Sequence, residues 1–95
     1  MNPTLQFPQI AIRIIKEQAL VIGPLAWSEA SKVTGLTVDE SQNSASFSGD
    51  SKDVVNRLVA QYERIFGKAS HAVCHDAVQD LISQMSPEEI PSSLK

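Results

Sequence analysis

The sequence has a single cysteine, Cys74, so no disulfide can close within the chain. Long apolar runs are missing too. The longest mostly apolar stretch, Ala19 to Trp27, is broken by Gly23-Pro24 and falls far short of the ~20 residues a membrane-spanning helix needs. The N-terminus lacks the basic, apolar and cleavable order of a signal peptide, so the expected location is the cytoplasm and no membrane association is expected. Charge is sparse: charged residues make up 20% of the chain, the net charge is -3, and the eight Lys and Arg residues are scattered, which gives no electrostatic reason to seek nucleic acid. There is no Gly-x-Gly-x-x-Gly, no Walker-type loop to cradle phosphate and no Gly-x-Ser-x-Gly nucleophile elbow. No internal repeat, low-complexity segment or interdomain linker is present. These absences argue against an enzyme and against a bound cofactor.

The 95 residues, 42% of them hydrophobic, suit one domain with a single core. Its strongest pattern runs from Ser48 to Met85. Val54, Val55, Leu58, Val59, Tyr62, Ile65 and Phe66 recur at spacings of three and four, predicting an amphipathic helix over 50–66. Asp50 or Ser51 can cap its first free amides, and Gly67 can end it in a left-handed conformation. A second helix over 69–85, capped by Ser70, carries the stripe Val73, Cys74, Ala77, Val78, Leu81, Ile82 and Met85. So short a connection predicts an antiparallel pair with facing stripes, the alternative being one kinked helix. Leu58, Tyr62, Phe66, Cys74 and Leu81 then share one core. Two helices alone are marginal against the entropy of ordering them, so the rest of the chain or a second copy must cover them.

Residues 1–7, with Pro3 and the following Pro8, read as an extended arm. Over 8–22 the pattern is double: Ile10, Ile12 and Ile14 alternate as in a strand, while Ile10, Ile14 and Val21, with Ala11, Ile15 and Ile22, repeat as in a helix. The run Lys16-Glu17-Gln18-Ala19-Leu20 has good helix formers and no turn chemistry, which decides for a helix. A short helix over 24–33, anchored by Trp27, follows Gly23-Pro24. From Leu36 the period becomes two, predicting a β-hairpin over 36–48 whose turn lacks Asn-Gly or Asp-Gly. Residues 86–95 read as a flexible polar tail. The fold class is therefore α+β: two N-terminal helices, a hairpin and a C-terminal helix pair.

One cluster has reactive side chains. His71, Cys74 and His75 are neighbours on a helix and could offer zinc or copper three ligands, but a fourth is missing and Cys74 sits mid-stripe, where a free cysteine is usually a small buried hydrophobe. A core thiol also makes a poor nucleophile. A second segment, Pro24 to Asp39, has the outline of a helix-turn-helix, but it holds Glu29, Asp39 and Glu40 against Lys32 alone, where phosphate contact needs clustered cations. The remaining class is a non-enzymatic protein-interaction or regulatory module. The apolar residues of the first helix spread around its circumference, predicting a homodimer with Ile10, Ile12, Leu20 and Trp27 at the interface, helped by the open edge of the hairpin. The alternative is a monomer with that helix threaded through its centre.

Overall fold

The computed structural model describes residues 6–94, which form an α+β domain of four helices and one antiparallel hairpin. Helix α1 spans Gln6–Ile22, so the segment with the double pattern is a helix. Phe7, Ile10, Ala11, Ile14, Ile15 and Gln18 form its buried stripe, repeating at three and four, while Ile12 falls off that face and is half-buried. The extended arm read over 1–7 is corrected at its end: Gln6 and Phe7 belong to the first turn of α1, and residues 1–5 lie outside the described residues. Pro8 causes no break, because amides of a first turn have no partner within the helix. Pro3, the other proline that argued for an arm, lies outside the described residues.

Helix α2 covers Leu25–Ala30, shorter than the 24–33 the pattern suggests. Val33 still reaches the core, from a turn in which Lys32 and Val33 donate to Glu29 and Ala30. Strands β1 (Leu36–Asp39) and β2 (Ser44–Phe47) pair with Leu36 opposite Phe47 and Val38 opposite Ala45, which puts those four apolar residues on one face. That face lies against α1, where the Phe7 and Phe47 rings meet edge to face at 6.4 Å. The hairpin is therefore held within the chain and needs no second copy to hold it. Its turn has chemistry of its own. Asp39 accepts from the backbone amide of Ser41 at 3.0 Å and from its hydroxyl at 2.6 Å, and Asn43 takes the left-handed conformation with φ 50°.

Helix α3 spans Ser51–Phe66, with Asp50 capping through the Lys52 amide at 2.9 Å. Val54, Val55, Leu58, Val59 and Tyr62 are buried, whereas Phe66 lies at the edge of the core and Ile65 is largely exposed. Gly67 is a one-residue joint with φ 91° and ψ -179° that starts α4 (Lys68–Ile82) at the next residue. The chain turns there, excluding one kinked helix. Ser70 is no cap: it is buried within α4, on the stripe it shares with Cys74, Val78, Leu81 and Ile82. That stripe packs against both α1 and α3. Met85, beyond the end of the helix, is buried as well.

The flexible tail expected over 86–95 is also corrected. Turns of 3-10 helix at Pro87–Glu89 and Ser92–Leu94 fold residues 86–94 onto α3 and α4. Leu94 and Pro91 are fully buried, Ser93 donates to Asn56 Oδ1 through its amide (3.0 Å) and its hydroxyl (2.6 Å), and Lys52 Nζ donates to the Glu88 carbonyl at 2.7 Å. A polar composition hid two apolar anchors, Ile90 and Leu94, and an acceptor 37 positions away in Asn56.

Candidate functional site

Of the four residues expected at an interface, Leu20 stands out. Its side chain is 81% exposed at the end of α1, next to Val21 at 68%, and Leu25 is 53% exposed at the start of α2. Because Gly23-Pro24 turns the chain between the helices, these three aliphatic residues lie within six positions of one another around one corner. Trp27 is half-buried against the core beside them, and Ile12 is half-buried on a different part of α1, beside the hairpin turn. Ile10 is corrected: it is fully buried on the inner stripe and has nothing to offer a partner. Val21 and Leu25, absent from that set, could have been found as apolar residues four apart across a Gly-Pro break. Large aliphatic groups left in water around one corner favour being covered by another surface.

The three metal-capable residues do not converge. Cys74 Sγ is buried and accepts from Gln18 Nε2 at 3.3 Å, while burial pushes its thiol up to about 11 against the opposing effect of that hydrogen bond. His71 has both ring nitrogens engaged, Nδ1 3.0 Å from Glu63 Oε2 and Nε2 on the Ser93 carbonyl. His75 is on the rim of a cavity of about 430 Å³ between α4 and the C-terminal turns, its Nδ1 3.6 Å from Asp76 Oδ1. Among the described residues no group of three His, Cys, Asp or Glu is arranged to hold a metal. Around Cys74 lies a buried polar knot that sequence reasoning missed. Gln18 Nε2 also donates to the Ser70 carbonyl at 2.9 Å, while Gln18 Oε1 meets no donor among the described residues. Nearby, Tyr62 donates to the Ala26 carbonyl at 2.6 Å, and burial holds its phenol above the ordinary range. These groups join α1 to α4 and α2 to α3. Gln18, Tyr62 and Cys74 have no exposed surface.

The outline of a helix-turn-helix over Pro24 to Asp39 is not formed, because the segment after Gly35 is strand β1. The basic residues, however, are less scattered in space than in sequence. Lys32, Arg57 and Arg64 line one surface pocket of about 320 Å³ between the α2–β1 turn and α3. The spacing of seven between Arg57 and Arg64 already puts them on one helical face; only the tertiary fold adds Lys32. A wider groove of about 540 Å³ between α1 and the hairpin turn is lined by Arg13 and Lys16, and Arg13 is paired to Asp80 at 2.9 Å, which holds that carboxyl below the usual range. No helix among the described residues is long and apolar enough to cross a membrane. Comparison with protein-family models, with curated proteins and with solved structures finds no match.

Proposed function

We propose that this domain is a non-enzymatic interaction module that pairs with a second copy of itself through the corner formed by Leu20, Val21 and Leu25. The observation that carries this reading is the exposure of these three aliphatic residues, while the inward stripe of α1 from Phe7 to Gln18 is buried. An apolar corner is self-complementary, so a twofold arrangement can bury it against its equal while the exposed Lys16 and Glu17, one turn earlier on α1, stay at its rim. Three side chains alone make a small patch beside the ~800 Å² per partner of a standard interface, so the pairing is weak and concentration-dependent. The burial of Cys74 keeps its thiol from serving as a nucleophile.

Analytical ultracentrifugation over a rising protein concentration tests this. The expected result is a monomer–dimer equilibrium that Leu20→Glu shifts to monomer with the helical circular dichroism unchanged. A monomer mass throughout the micromolar range, or a dimer indifferent to Leu20→Glu and Leu25→Glu together, overturns it.

A further inference from the structure

We propose that the pocket between the α2–β1 turn and α3 is a binding site for the phosphoryl group of a small phosphomonoester. Lys32, Arg57 and Arg64 supply its cations, Thr34 adds a hydroxyl, and Val33 and Ala60 give it an apolar floor. The cations are held in place from behind. Glu29, its side chain only 10% exposed, accepts from Lys32 Nζ at 3.0 Å through one carboxylate oxygen and from Gln61 Nε2 at 2.8 Å through the other. Gln61 Oε1 in turn accepts from Arg64 Nη2 at 2.8 Å, so one inward-facing carboxylate orients the lysine directly and the arginine through an amide. Arg57 Nη1 is tied across the pocket mouth to the Thr34 carbonyl at 3.2 Å. Each of these cations uses only part of its donor capacity in those bonds and keeps the rest for a ligand.

The charge selects the ligand class. Three cations against one carboxylate leave a surplus of two positive charges, which matches the about -1.5 to -2 of a phosphomonoester and exceeds that of a single carboxylate. Guanidinium forks fit phosphoryl oxygens in the same way they fit carboxylates, but with a third oxygen to share. The cations ring one concavity of about 320 Å³ instead of forming a stripe along the surface, which suits a compact ligand over the extended backbone of a nucleic acid.

The test is a nitrogen-15 NMR titration of the intact chain with phenyl phosphate, inorganic phosphate and, separately, sodium acetate, at constant ionic strength kept with sodium chloride. Saturable shifts confined to residues 32–35 and 57–64, with both phosphates and not with acetate or chloride, are expected. Arg64→Gln, whose side chain bonds only to its own helix among the described residues, should weaken phenyl phosphate binding by about tenfold or more while the fold is kept. Arg57→Gln should do the same, and Arg13→Gln, a cation outside the pocket, should leave binding unchanged. Shifts that follow chloride and phosphate alike, or an Arg64→Gln protein that titrates like the parent, overturn the assignment. So does a duplex DNA that displaces phenyl phosphate at concentrations a hundredfold lower, which would make the cations a nucleic-acid contact.

Discussion

Gly35→Ala should be far more damaging than Gly67→Ala, although both glycines have a left-handed φ near +90°. At Gly67 an added Cβ meets nothing within 4 Å, so the cost there is conformational only, about 1–3 kcal/mol for a backbone region that L-residues avoid. At Gly35 the same atom would lie 2.9 Å from the Ser48 carbonyl oxygen and 2.9 Å from Val54 Cγ2. Neither can yield easily. The Ser48 amide donates to the Gly35 carbonyl at 2.8 Å, which pins that stretch of backbone, and Val54 is buried in α3. Overpacking of this kind costs roughly 1–3 kcal/mol more, so Gly35→Ala should lose about 2–6 kcal/mol, a large part of the ~5–15 kcal/mol typical of a domain. Urea unfolding of the two variants and the parent, with midpoint and slope fitted together, measures the difference directly. Equal losses at the two positions would refute the close approach of the hairpin base to α3.

Gln18→Met should leave stability within about 1 kcal/mol of the parent, because it removes a buried oxygen without a protein partner along with the amide's hydrogen bonds. Gln18→Ala should lose about 2 kcal/mol or more by opening a cavity, and equal losses for the two, read from thermal or urea midpoints, would mean that the amide group itself is worth far more than its bonds suggest. The Glu29 carboxyl is held below the usual glutamate range by the bonds from Lys32 and then Gln61, so the folded chain is harder to protonate there than the unfolded one. Its contribution is complete above the ordinary glutamate value and is lost as pH falls through the lowered one, so Glu29→Gln should shrink the drop in urea midpoint between about pH 5 and pH 3. An unchanged drop would show that the lysine bond does not persist in solution.

The sequence made legible whatever periodicity controls. The stripe of α3 through Val54, Val55, Leu58, Val59 and Tyr62 and the period-two run from Leu36 follow from side-chain direction alone, and both elements form close to the positions the pattern indicates. Leu58, Tyr62, Cys74 and Leu81 share the core, as facing stripes require, with Phe66 at its margin. What stayed hidden depends on partners far away in the chain. Gln18 looks like a surface helix former, and only the approach of α4 turns it into a core donor. Residues 86–94 look like a frayed end until Asn56 and the buried Leu94 are seen together. The pocket cations likewise come from two elements, and a local reading sees α3's pair but not Lys32. In the hairpin turn the local signal was present in Asp39-x-Ser41 and Asn43, as a side-chain turn in place of the sought Asn-Gly.

The pairing of α1 with α4 also sets an order of events while the chain is being made. α1 is complete at Ile22, yet the helix it packs against most extensively ends at Ile82, some sixty residues later. At ~5–20 residues per second those residues take roughly 3–12 s to synthesise. During that interval α2 and the hairpin can shield part of α1, but the surface that Cys74 and Val78 will occupy has no occupant. Leu94, which seats in the interior, is made later still, so the core stays open until that residue has been added. The newborn chain therefore spends seconds with Ile10, Ile14 and Ile15 incompletely covered, and its yield should rise and fall with the supply of ribosome-associated chaperones.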